Sequence, residues 1–155
     1  MDVSLRRAQP ADMEAVEAML QERGLPLDGL AEHLHHFWVA DAEGTVLGTG
    51  GLEVHGRLGL LRSVAVQPES EGTGIGSRLT WQLLEDAVDQ GLREVFLLTT
   101  NASDYFPRFG FVRLKRREVP TEIQASALFK ACPGEAVAMR WSPTASGIYE
   151  PPSVI

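Results

Sequence analysis

The chain has 155 residues and a mass of 16.9 kDa, 44% hydrophobic and 23% charged, with a formal charge of −7 and one cysteine, Cys132. That size and mix suit one folded domain with its own core and exclude a disordered chain; the lone cysteine excludes an internal disulfide framework or a cysteine-rich zinc site and fits a reducing compartment. An acidic chain without a Lys/Arg-rich block argues against nucleic-acid binding, no apolar run approaches the ~20 residues of a membrane span, and Met1–Pro10 has no apolar signal core, so a cytoplasmic location is expected.

Ser4 to Ala8 reads as a first strand. Pro10 opens a helix carried by Met13, Val16, Met19 and Leu20 at helical spacing and stopped by Gly24. Leu27 to Leu34 reads as a second short helix. Phe37 to Ala40, the glycine-interrupted Thr45 to Val54, and Leu58 to Val66 form an antiparallel three-stranded meander, turning at Ala42-Glu43-Gly44 and His55-Gly56-Arg57. The pattern then changes. Ile75, Leu79, Leu83, Leu84, Ala87 and Val88 make a helical stripe ended by Gly91, followed by the continuous apolar strand Val95 to Leu98. Asn101 and Asp104 suggest a capped short helix closed by Gly110. A strand from Phe111 to Val119, a helix from Pro120 to Phe129 and a strand from Glu135 to Trp141 complete the order, and residues 142–155 read as a Pro/Gly-containing tail. The expected fold class is α+β, a mixed α/β sheet domain over residues 1–141, with an antiparallel N-terminal half and a βαβ C-terminal half.

The most informative stretch is Val64-Ala65-Val66-Gln67-Pro68 followed by Glu71-Gly72-Thr73-Gly74-Ile75-Gly76. A strand ends, a glycine-rich turn follows, and a helix begins. Its first turn has unpaired N–H groups at the positive end of the helix dipole, and the glycines let a ligand approach the backbone. Such a turn suits a diphosphate at Gly72 to Ser77; the plainer reading is a tight turn that only starts a helix. The Gly-Lys-Ser/Thr end of a P-loop is missing, since Ser77 and Arg78 follow Gly76. The Gly-x-Gly-x-x-Gly dinucleotide fingerprint also fails to fit.

With these motifs the sequence resembles the GCN5-related N-acetyltransferase (GNAT) superfamily, whose signature Arg/Gln-x-x-Gly-x-Gly/Ala lies between its fourth strand and third helix. Asn101-Ala102, Tyr105-Phe106 and Gly110-Phe111 resemble that family's pantetheine contact and its Phe-Tyr-x-x-x-Gly-Phe segment. Gly51-Leu52-Glu53, Leu60 to Val66, Leu97 to Thr100 and Cys132-Pro133 resemble an arsenic-resistance-associated branch. The resemblance implies an acetyl-CoA-dependent N-acetyltransferase that passes the acetyl group directly to the primary amine of a small amino-acid-like or toxic molecule. A CoA-binding sensor of the same fold, without turnover, is the alternative. No metal cofactor is expected, and a homodimer is, since dimers are common in the superfamily.

The resemblance places the diphosphate on the backbone of Gly72, Thr73, Gly74, Ile75, Gly76 and Ser77. It places the pantetheine arm along Val64, Ala65 and Val66, with Asn101 and Phe106 beside it, and makes the Val64 N–H an oxyanion donor. Two departures stand out. The motif's leading Arg/Gln is Glu71, with Arg78 available to compensate, and the usual thiolate-protonating tyrosine aligns with Phe106. Tyr105, one residue earlier, is the nearest hydroxyl; on a helix one position is about 100° of rotation, so water is the competing acid. No carboxylate lies in Leu58 to Val66, so Glu53 is the candidate base or amine anchor, with a pKa raised in an apolar cleft, and His55 shares its face. Arg62 is a candidate clamp for a substrate carboxylate, and Thr99 is expected to line the same cleft. His33, His35 and His36 lack the i, i+4 spacing for chelation on a helix, and Cys132 reads as a packed thiol.

Overall fold

The computed structural model describes residues 2–143, so most of the tail assigned to 142–155 lies outside the described residues. Strands β1 (Ser4–Arg7), β2 (Phe37–Ala42), β3 (Thr45–His55), β4 (Leu58–Val66), β5 (Glu94–Thr99), β6 (Val112–Leu114) and β7 (Val137–Trp141) form one seven-stranded sheet in the order β1-β2-β3-β4-β5-β7-β6. Helices α1 (Met13–Glu22), α2 (Leu30–His33), α3 (Ile75–Asp89), α4 (Thr121–Gln124) and α5 (Ala127–Ala131) flank it. β1 to β4 are antiparallel, β4 and β5 are parallel across α3, and β7 runs antiparallel to β5 and β6. This is the mixed sheet expected from the sequence.

Both sheet faces are covered, which explains the long apolar strands. Leu52, Leu61, Leu83, Leu84, Val95, Phe109 and Trp141 pack in one cluster. Leu60, Phe96, Ile123, Leu128 and Phe129 pack in another, beneath α4 and α5. Val16, Leu20, Phe37 and Val39 form a third, with α1. Gly51 is dictated by packing: a Cβ there would lie 2.1 Å from the Phe37 ring, well inside contact distance.

Three expectations change in the C-terminal third. The strand expected from Phe111 to Val119 is only Val112–Leu114, followed by a 3-10 turn at Arg116–Glu118. The helix expected from Pro120 to Phe129 is two helices, because Ser126 leaves helical geometry and caps α5, its hydroxyl accepting from the Leu128 and Phe129 N–H groups. Asn101 makes no capping hydrogen bond among the described residues. The Thr99 hydroxyl instead accepts from the Ala102 N–H at 2.9 Å, and the helical segment is a 3-10 turn at Phe106–Phe109.

Two features of β4 position the site. Thr49 faces Ala65 and Gly51 faces Arg62, so two steps on β3 oppose three on β4. The extra residue is a β-bulge, and Ser63 within it has φ 60°, a left-handed conformation that costs a serine about 1 kcal/mol. On the other side, pairing of β4 with β5 runs only from Leu58↔Glu94 to Leu60↔Phe96. Ser63 and Val64 therefore have no ladder partner on either neighbouring strand, and the sheet opens between β4 and β5.

Candidate active site

A cleft of about 980 Å3 occupies this opening. Val64, Ala65 and Val66 form one wall, Asn101, Ala102, Asp104, Tyr105 and Arg108 another, and Gly72, Gly74, Ile75, Gly76 and Ser77 close the end at the start of α3. Gly72 and Gly74 have φ of 80° and 85°, a backbone available to glycine at little cost. Gly74 is the residue before the 15-residue α3, so the helix's unpaired N–H groups face the cleft end that Gly76 and Ser77 line. Unpaired strand backbone on one side and a helix N-terminus at the end suit an extended ligand carrying a phosphate-type anion.

The Tyr105 hydroxyl reaches into this cleft and shares a hydrogen bond of 2.9 Å with the Ser77 hydroxyl. Tyr105 and Phe106 do point in different directions at the start of the 3-10 turn, but it is Tyr105 that faces the cleft. Phe106, expected beside the pantetheine arm, is buried in the core with Phe109 and Phe111 and does not line the cleft. Thr73 does not line the cleft either, and its N–H, expected to face the diphosphate, donates with its hydroxyl to the Ser70 carbonyl.

Cations sit at the cleft where sequence reasoning did not place them. Arg23 lines it and is bound to the Glu71 carboxylate and the Val66 carbonyl, which neutralises the acidic residue at the head of the motif. Arg108 lines the opposite wall, stacked 4.3 Å over the Tyr105 ring. Arg78 is not the compensating charge; it points to the Val3 carbonyl.

Beneath the bulge lies a buried ion pair. Glu53 is 1% exposed, and its Oε2 accepts from Arg62 Nη1 at 2.8 Å. Its Oε1 takes a hydrogen bond from the Ser126 hydroxyl at 2.8 Å and lies 2.8 Å from His55 Nε2. Burial is the largest single influence on Glu53 and pushes its pKa up, but the hydrogen bonds from His55, Ser126 and Arg62, with His33 nearby, outweigh it and hold the carboxyl below its ordinary value. This reverses the expectation of a raised pKa: Glu53 is an ionised carboxylate with both oxygens engaged, ill suited to taking a proton.

Arg62 is equally committed. Its side chain is wholly buried and donates to Glu53, the Ser63 hydroxyl and the carbonyls of Pro26 and Asp28. Its fork is therefore spent inside the protein and is not free to grip a substrate carboxylate. Thr99 is buried and lines neither this cleft nor the smaller pocket beside His55. His55 is half-buried at that smaller pocket. Burial pushes the Cys132 thiol up despite Arg116 and Arg62 nearby, which keeps it protonated and unreactive.

Arg23, Arg108 and Ser126 had no signal as site residues. Arg23 meets Glu71 across 48 positions of sequence. Ser126 carried a readable N-cap signal, hidden by treating Pro120 to Phe129 as one helix.

Residues 5–111 match the model of the acetyltransferase (GNAT) family. An amino-acid acetyltransferase of Mycobacterium tuberculosis is 36% identical over 131 residues, covering 77% of this chain and 74% of the relative. An uncharacterised N-acetyltransferase of Chlorobaculum tepidum is 30% identical over 132 residues, covering 79% and 83%. Among solved structures, a Mycobacterium tuberculosis protein in complex with CoA and NLQ superposes with a TM-score of 0.75 at 27% identity, covering 91% of this chain and 99% of that one. N-acetylglutamate synthase of Neisseria gonorrhoeae, complexed with coenzyme A and N-acetyl-glutamate, shares the fold with a TM-score of 0.78 at 23% identity; the match covers 92% of this chain and 35% of that longer one. The chain belongs to the GNAT acetyltransferase family.

Proposed function

We propose that this GNAT acetyltransferase passes the acetyl group of acetyl-CoA directly to the amine of a free amino acid. The observation that carries the reading is the unpaired stretch Ser63–Val64, set in a cleft that ends at the glycine-rich start of α3. Acetyl-CoA supplies the activated acyl group. The α3 N-terminus and the Arg108 guanidinium suit its phosphates, and Val64 to Val66 with Asn101 suit its amide-bearing arm.

The amine nitrogen attacks the thioester carbonyl, and a backbone N–H at Val64 stabilises the charge that develops on the carbonyl oxygen. The carbon–sulfur bond breaks, the nitrogen gives up its surplus proton to water in the open cleft, and the departing thiolate takes a proton from the Tyr105 hydroxyl, which Ser77 orients and which regains its proton from water. Glu53 is a positioning residue in this account. It holds Arg62, and Arg62 holds Ser63, so the buried pair fixes the bulge that frees Val64. The amino-acid acceptor rests on the relatives named amino-acid acetyltransferase, which we weigh above the arsenic-resistance resemblance. A cytoplasmic location is consistent with the free thiol of Cys132, and among the described residues no helix is long and apolar enough to cross a membrane.

Thiol release from acetyl-CoA across a panel of free amino acids and simple amines tests the reading. Release that depends on an amino acid supports it. Tight CoA binding with no amine-dependent release would leave the sensor alternative standing.

A further inference from the structure

The smaller pocket, of about 310 Å3, shares no lining residue with the large cleft. Two imidazoles from different elements meet there on one carboxylate oxygen. His55 Nε2, from β3, is 2.8 Å from Glu53 Oε1, and His33 Nε2, from α2, is 3.6 Å from the same atom. The donor atoms of all three residues lie within 4.8 Å of one another. Tetrahedral zinc, with bonds near 2.0–2.2 Å, places neighbouring ligand atoms ~3.3 Å apart, and these spans bracket that value. We propose that His33, Glu53 and His55 bind one divalent cation of the zinc class, with its fourth position open to the pocket.

Two imidazoles and a carboxylate select a borderline transition metal over calcium or magnesium, which favour oxygen ligands throughout. The carboxylate is already braced as a ligand should be: Arg62 holds its Oε2 and the Ser126 hydroxyl holds its Oε1. Ser126 is itself fixed by the Leu128 and Phe129 N–H groups it accepts. Local charge agrees. Glu32 and Glu122 line the pocket with Glu53, against the single guanidinium of Arg62 on Glu53, so the walls are negative before a cation arrives. The sequence view missed this because it weighed His33 with its neighbours His35 and His36; the partners are 20 and 22 positions away on β3. The site stands whether or not the large cleft binds acetyl-CoA.

The test is calorimetry with Zn2+ alone on the tag-free, chelator-stripped full chain, paired with visible absorption on adding Co2+. One equivalent bound, and the intense visible bands of four-coordinate cobalt, are expected. His33→Ala and His55→Ala, each checked for an unchanged melting temperature, should weaken Zn2+ binding at least tenfold, and the double variant should abolish the cobalt bands. No saturable binding would overturn the proposal, as would a double variant that binds like the native chain.

Discussion

Glu53 joins Arg62, Ser126 and the two histidines of the smaller pocket. It sits at the junction of β3, β4 and α5, and loss of its charge would leave the Arg62 guanidinium buried without a counter-ion. Glu53→Gln should destabilise the fold by about 3–5 kcal/mol in urea unfolding, whereas Glu53→Leu combined with Arg62→Met should cost less than either single change. Acid acts in the same direction. Glu53 is held below its ordinary pKa, so the stability it contributes is full above the unfolded glutamate value and is lost as pH falls toward the folded one. Burial pushes the His33 pKa down against the pull of Glu53 and Glu32, so the unfolded chain takes up that proton first and stability falls as pH drops below the ordinary histidine range. Urea midpoints measured in chelator should decline from pH 7 to pH 4, and His33→Ala should flatten the upper part of that decline. Tyr105→Phe should lower kcat at least about tenfold while CoA binding persists. Glu53 and Tyr105 were legible as candidates. The lowered pKa of Glu53 and the hydrogen bond that holds Tyr105 were not, because these depend on Ser126 and Ser77, 73 and 28 positions away.

At the scale of elements, periodicity revealed the strands of the meander, the long helix α3 and the buried strand β5, since each has one strong pattern over its whole length. It failed between Phe111 and Ala131. There the apolar residues Val119, Ile123, Leu128 and Phe129 serve one cluster from three short segments, and no single period describes them. The bulge in β4 was also invisible, because Leu58 to Val66 reads as uninterrupted strand and Ser63 is not a residue that announces positive φ. Glycines in β3 were read only as interruptions, whereas packing requires Gly51. Gly51→Ala should cost about 1–3 kcal/mol by overpacking against Phe37, and Phe37→Leu should recover part of that loss; thermal melts of the single and double variants would check both.

At the scale of the whole molecule, a chain of formal charge −7 is proposed to bind a polyanionic cosubstrate, and local structure resolves the tension. Arg23 cancels Glu71 and Arg108 shares its wall with Asp104, so the charged side chains of the cleft balance and the unpaired N–H groups of the first turn of α3 supply its positive end. Net charge is no guide to such a site, because binding there depends on where the backbone dipoles point. Gly76 offers a direct probe. A Cβ there meets only ordinary contacts, 3.5 Å from the Tyr105 hydroxyl and 3.6 Å from Val66, and a carboxylate suits a helix N-terminus, so Gly76→Asp is expected to fold. It also sets a negative charge where a diphosphate would lie. Calorimetric titration of CoA into the native chain and into Gly76→Asp should show one site per native chain, and in the variant at least tenfold weaker binding at an unchanged melting temperature. A native chain that gives no binding heat, or a variant that binds CoA as tightly as the native chain, would contradict the account.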